Sequence, residues 1–268
     1  MNLIKTLIER RELLWQFLVR NINSRHKGSI LGALWIIINP MLMLGLYVFA
    51  FGVVFGGRFT DFPEETTLDY AFGVFIGLSI LGIINGVIGS SPNVILSQPN
   101  FVKKVVFPLE ILPTALVGAL AYDLLINFGL CVLGVLLFGP GLNPSFIFVP
   151  LITLPIVFIA LGLSWFLSAF GVFVRDIAQI SSFLGLALLY SSGVFYSAAK
   201  AQEAAPSIWK VLQWNPILHT VDNLRQIILW GADPNWGYVL YSYGIGMVLL
   251  LGGAWFFNRL RPGFADVV

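Results

Sequence analysis

Two patterns of apolar and polar positions divide this chain. Over residues 2–24 the period is helical. Glu9, Glu12, Gln16, Arg20 and Asn23 fall three and four apart and make one polar stripe. Leu3, Ile4, Leu7, Ile8, Leu14, Trp15, Leu18 and Ile22 mostly take the other side. This predicts an amphipathic helix on a membrane surface, with Trp15 and Phe17 near the headgroups. A helix packed on other protein would carry the same stripe. After residue 27 the second pattern begins: long apolar runs separated by short polar loops. They predict six spans, at about 30–55, 70–90, 111–138, 146–174, 177–195 and 237–257.

The turn from one pattern to the other lies at residues 25–40. Arg25, His26 and Lys27 mark the basic edge, and no residue from Ile30 to Phe55 is charged. Gly28 and Gly32 permit a bend or close helix packing there, and Pro40 removes one backbone donor inside the first span. Residues 198–234 fit neither pattern. The apolar run 217–230 is broken by His219, Asp222, Asn223, Arg225 and Gln226. As a helix it would rise only about 21 Å, too short for a hydrocarbon core of about 30 Å. A pair of short re-entrant helices is expected on the outer side, with Asn215-Pro216 starting the second. The expected fold is an all-α membrane protein: one domain over residues 1–268, six spans, the interfacial helix 1–27 and the outer helices.

Composition agrees with that class: 58% of the 268 residues are apolar and only 10% charged. The placement of charge sets the topology. With the N-terminus in the cytoplasm, that side holds eleven of the 15 Lys and Arg residues, and both termini are cytoplasmic. Arg58, Lys200, Lys210 and Arg225 stay outside. The N-terminus lacks the apolar core and cleavage site of a signal peptide. Cys131 is the only cysteine, so no disulfide forms within the chain. The two histidines, His26 and His219, fall on opposite sides, which leaves no paired-His metal site. No Gly-x-x-x-x-Gly-Lys-Ser/Thr phosphate loop is present. The chain is therefore not read as an enzyme, and it carries no cofactor or metal of its own.

Four segments carry functional weight: the boundary Arg25 to Pro40; the basic loop Gln98 to Pro113, with Phe101, Val102, Lys103 and Lys104; Arg175-Asp176; and Trp214-Asn215-Pro216 with His219, Asp222, Asn223 and Arg225. In this order they resemble the permease subunits of type-2 ATP-binding-cassette exporters, in the branch that moves lipid-linked polysaccharides: O antigen, teichoic acid and capsule. The resemblance covers essentially the whole chain and is carried by Arg25 to Gly32, Leu34-Trp35, Pro40, Val102-Lys103-Lys104, Pro108, Leu112-Pro113, Arg175-Asp176 and Trp214-Asn215-Pro216 with His219. His26 departs from it, standing where the family often has an aromatic residue.

The resemblance implies a homodimer in the bacterial inner membrane, with two cytoplasmic ATPase subunits that bind ATP and Mg2+. It implies that the N-terminal helix and the loop 93–110 contact those subunits, Phe101 to Lys104 among them. It also implies a channel between the copies, lined by the first and fifth spans. Phe49, Phe51, Phe55, Tyr190, Phe195 and Tyr196 lie on or near that lining, where aromatic faces would stack on sugar C–H faces. Arg25 and Lys27 at the inner surface suit a diphosphate headgroup as cations, or serve as positive anchors. Asp123 is the one acid inside a span, read as an interhelical hydrogen-bonding group or as a functional carboxylate. Gly28, Gly32, Pro40, Asp123, Arg175, Asp176, Trp214, His219 and Arg225 are taken as structural or gating positions. The favoured cargo is O antigen on a polyprenyl diphosphate. The rivals are teichoic acid, capsule, a drug or a lipid. A membrane enzyme acting on polyprenyl-linked sugars would need clustered carboxylates at one membrane face.

Overall fold

The computed structural model describes residues 3–24, 31–54, 56–59, 65–103, 107–138, 141, 143–174 and 176–267, without the side chains of 4, 33, 51, 52 and 178. Among them there is no strand. The N-terminal amphipathic stretch forms two helices, α1 (Leu3–Glu9) and α2 (Arg11–Ser24), with a turn at Arg10. Gly32 adopts a left-handed φ of 49° just before α3 (Trp35–Tyr47), which continues as a π-helical stretch, Val48–Val54. There follow α4 (Thr67–Ser90), α5 (Pro99–Lys103), α6 (Ile111–Phe138), α7 (Val149–Phe173) and α8 (Ile177–Ser191). The last are α9 (Ala198–Ala204), α10 (Pro206–Leu212), α11 (Pro216–Trp230), α12 (Trp236–Leu260) and α13 (Phe264–Val267). The interval between the fifth and sixth apolar runs thus holds three helices, not two.

Four apolar helical stretches among the described residues are long enough to cross a membrane: Thr67–Asn93, Ile111–Phe138, Pro144–Phe173 and Trp236–Val267. Two more, Trp35–Ala50 and Gln179–Ser191, are apolar but shorter. The apolar helices alternate in direction, as contacts at their ends show. At one end the core joins Tyr47, Phe59 and Tyr70, so α3 finishes where α4 starts. Phe72 of α4 lies where a Cβ on Gly134 of α6 would fall, and Leu120 of α6 where one on Gly86 would; these two helices are antiparallel. Ser181 Oγ, near the start of α8, donates to the Ile88 carbonyl, near the end of α4, at 2.9 Å.

Helices α7 and α12 run the same way. Phe148 meets Trp236 edge-on at their starts (5.2 Å), and Phe173 meets Phe264 beyond their ends (6.1 Å). Glycine makes their close approach possible. Cβ atoms at Gly162 and Gly253 would fall on the opposite backbone, and one at Gly246 would lie 3.0 Å from the Pro155 carbonyl oxygen. Pro155 carries no N–H, which leaves the Leu151 carbonyl without its helical donor. Tyr243 Oη of α12 supplies the missing donor at 2.8 Å. Helix α4 is the axis of the bundle, most of it buried. Its core residues run from Phe72 to Ile88 and meet α6, α7 and α11 in one continuous cluster.

The candidate functional site: two ends of the helix bundle

The α2 end is an aromatic joint. Phe17 is buried against Phe101 of α5 (5.6 Å, edge-on) and Phe107 (5.2 Å), and those two rings stack at 4.6 Å. The Arg20 guanidinium lies 4.1 Å over Phe17. Leu18 occupies the space that a Cβ on Gly118 of α6 would need. The apolar face of α2 therefore packs on protein around Phe17, while Trp15 stays exposed. The amphipathic period holds, but a period cannot say whether its apolar side meets lipid or another helix. Phe101 turns inward and Val102 is half-buried; Lys103 is exposed at the end of α5. Glu110 is fully buried and pairs with Arg261 at 3.1 Å, tying the chain after α12 to the start of α6. Nothing in the local sequence marks this pair, because its members are 151 residues apart. Phe17→Leu keeps most of the volume but loses both ring contacts. It is expected to cost about 1 kcal/mol, seen as a small drop in the thermal midpoint of the purified protein.

The opposite end is a polar knot around Arg225. Its side chain is 1% exposed. Nε donates to the Gly73 carbonyl of α4 (2.9 Å), Nη1 to Tyr196 (3.1 Å) and Nη2 to Val194 (2.5 Å). The guanidinium sits 3.9 Å over the Phe59 ring. Glu65, also buried, accepts the Phe59 N–H at 2.7 Å. Ser197 Oγ donates to the Phe59 carbonyl, and Tyr70 Oη to the Phe195 carbonyl. One cation thus holds together the segment after α3, the start of α4, the α8–α9 connection and α11.

Asn215 explains the Trp-Asn-Pro segment. Its Oδ1 accepts the Ile217 N–H and caps α11, with Pro216 at the first helical position. Its Nδ2 donates to the Ser191 carbonyl at the end of α8. His219 Nε2–H donates to the Gln213 carbonyl at 2.7 Å, since a carbonyl only accepts, and its ring stacks flat on Tyr238 at 3.7 Å. Asn223 accepts the Asn235 N–H (2.7 Å) and so fixes the entry to α12.

Between the ends, large apolar side chains stay uncovered along α3 (Met41, Leu42, Leu46) and α8 (Ile180, Phe183, Leu186), as on parts of α6 and α12. Phe49 is 61% and Tyr190 62% exposed. Phe195 is half-buried beside Tyr190, and Tyr196 Oη donates to the Tyr190 carbonyl at 2.6 Å. Phe195 and Tyr196 thus belong to the Arg225 knot as much as to the open face. Pro40 lies inside α3, Asp123 is half-buried on α6, and Asp176 is exposed at the cap of α8. Arg25, Lys27, Gly28, Phe55, Lys104 and Arg175, with the Phe51 side chain, lie outside the described residues.

The sequence that builds both ends matches the ABC-2 type transporter family model over residues 12–229. The chain is a member of that family. The match stops short of α12, which in this ABC-2 protein follows α11 and packs against α7 at the glycine contact. The chain is 26% identical over 268 residues to the O-antigen export system permease protein RfbA of Myxococcus xanthus, covering all of this chain and 99% of the relative. It is 25% identical over 252 residues to the protein of the same name from Klebsiella pneumoniae, covering 93% of this chain and 92% of the relative. This ABC-2 protein is thus coextensive with permeases, and the long apolar helices give it the character of a membrane protein.

Proposed function

We propose that the chain is the permease subunit of an ATP-driven exporter, and that its cargo is a lipid-linked polysaccharide, O antigen on a polyprenyl diphosphate. The observation that carries this reading is the match, over more than nine-tenths of each chain, to proteins named for O-antigen export. All six apolar helices cross the inner membrane, α3 and α8 included. The α2 end faces the cytoplasm, because it collects Lys5, Arg10, Arg11, Arg20, Lys103, Arg259 and Arg261, against Arg58, Lys200, Lys210 and Arg225 at the other. Both termini are then cytoplasmic, and α9–α11 close the outer side.

Two copies stand over two ATPase subunits, which bind ATP and Mg2+. The exposed faces of α3 and α8 meet their counterparts around a channel, with Phe49, Phe51, Phe55 and Tyr190 available to stack on sugar rings and Phe195 and Tyr196 at its outer rim. Arg25 and Lys27 attract the diphosphate at the inner mouth. Closure of the ATPases on ATP pushes on α2 and on the loop around Lys103 and Lys104. The Phe17–Phe101–Phe107 joint and the Leu18–Gly118 contact pass that push to α6.

Deleting the gene should leave glycan in the cytoplasm and none at the surface, measured by fractionation and glycan staining. The purified chain should bring an ATPase with it. Surface glycan that persists in a strain without the ATPase would refute the reading.

A further inference from the structure

The turn between α10 and α11 and the first turns of α12 enclose a cleft of about 450 Å³ outside the Arg225 knot. Its walls are Gln213, Trp214, Asn235, Gly237, Tyr238 and Tyr241. We propose that this cleft is a glycan-binding subsite that holds a pyranose ring of the exported polymer as it leaves the protein. The proposal rests on the reading above, which gives the protein a glycan cargo and puts this end outside.

Three features suit that ligand. Trp214 presents an indole that is 66% exposed, and its backbone carbonyl is held by Tyr241 Oη at 2.8 Å. That bond fixes the main chain beneath the indole, and the ring itself lies 6.3 Å from the Tyr241 ring, with its outer face open. Tyr238 is fixed in turn by its stack on His219. Gln213 and Asn235 line the same wall, one on each element; Gln213 Nε2 donates to the Lys210 carbonyl and Asn235 Oδ1 caps α12, so the remaining polar atom of each amide is the one offered to a ligand. A sugar ring asks for this combination: an aromatic plane for its axial C–H groups and amides for its equatorial hydroxyls. The volume lies in the range of about 300–1,000 Å³ usual for small-ligand sites. A band of interfacial tryptophan and tyrosine alone would need the rings at headgroup depth. It would not need Trp214, Tyr238 and Tyr241 to open onto one cleft with Gln213 and Asn235.

The probe is the polysaccharide purified from the surface of the strain that carries the gene, freed of lipid by mild acid and labelled at its reducing end. It is titrated onto the permease–ATPase complex in nanodiscs. Trp214→Ala is expected to weaken binding at least tenfold. Trp214→Phe, which keeps a ring, should stay within about threefold of the parent protein, and Gln213→Ala should lose severalfold. If Trp214→Ala fails to assemble, Trp214→Phe and Gln213→Ala decide: weakening by Gln213→Ala with retention by Trp214→Phe supports the cleft. Equal binding by Gln213→Ala and the parent overturns it, as does equal binding by an assembled Trp214→Ala. A fall in thermal stability with unchanged binding would assign the aromatics to the membrane interface and also overturns it. The two levels separate cleanly. If deletion of the gene traps no glycan in the cytoplasm, the exporter reading falls. If deletion traps it but all three variants bind and export like the parent, only the cleft falls.

Discussion

Arg225→Met should lower the stability of the purified protein by about 3–5 kcal/mol, the loss typical when one member of a buried charged network is removed. The cost comes from unmet partners. The Val194 and Tyr196 carbonyls lose the donor that the guanidinium gives them, Gly73 within α4 loses a second donor, and each buried polar group left bare costs about 1–3 kcal/mol. Methionine fills much of the volume beside Phe59 but donates nothing. Glu65 also loses the nearby cation while it remains buried. Arg225→Lys should fall between the two, since an ammonium keeps the charge but cannot reproduce the planar fork. The protein brings its own reporter: Cys131 is the only cysteine and is buried, so a thiol-reactive dye reads unfolding directly. Arg58→Met is the control, an exposed cation at the same end, and should leave the melting curve where it was. If Arg225→Met melts with Arg58→Met, the knot does not hold this end together.

That knot also marks what can be read from an amino-acid sequence and what cannot. The long helices were legible because hydrocarbon tolerates few charges, and uninterrupted apolar runs fix their own lengths within a few residues. Asn215-Pro216 announced the start of α11 because capping is local. Arg225 is expected among the structural or gating positions, but its burial cannot be read from the sequence. Its carbonyl partners lie 29, 31 and 152 residues away, and any exposed arginine would look the same in sequence. The expected pair of outer helices became three because Pro206 restarts a helix at its first position after Ala205, so α9 and α10 are separate turns. The first and fifth apolar runs were long enough to suggest ordinary spans, yet α3 gives way to a π-helical stretch and α8 has only 15 residues. Hydropathy reports where a segment is content to lie, not how many of its residues keep α-helical pairing. The glycan cleft was visible only in pieces. Trp214 stands out in the sequence, but its neighbours Tyr238 and Tyr241 come from α12, and only the fold sets them beside it.

Gly162→Leu is the second large effect, and it tests how the last helix is attached. A Cβ at Gly162 would fall on the carbonyl of Leu249 in α12, and one at Gly253 on the carbonyl of Gly162. These obstacles are backbone, so no flexible side chain can swing aside. The helices must separate, and the contacts along their whole parallel seam go with them, including the hydrogen bond that Tyr243 gives to the carbonyl freed by Pro155. Overpacking in a tight core usually costs about 1–3 kcal/mol. With a leucine against two main chains the expectation is the top of that range or more, and Gly253→Leu should behave alike. Gly252→Leu is the control: it is one residue away on the same helix, but a Cβ there meets nothing within 4 Å. All three change a helical glycine to the same residue, so a shared gain in helix propensity cancels. The dye at Cys131 should show Gly162→Leu and Gly253→Leu melting well below Gly252→Leu. The same order should appear in how much protein reaches the membrane. Equal melting of the three would mean that α12 rides on α7 through side chains that can repack, and that the glycine seam is incidental. The expected order would show that α12 is held on α7 by the direct approach of their main chains at Gly162 and Gly253.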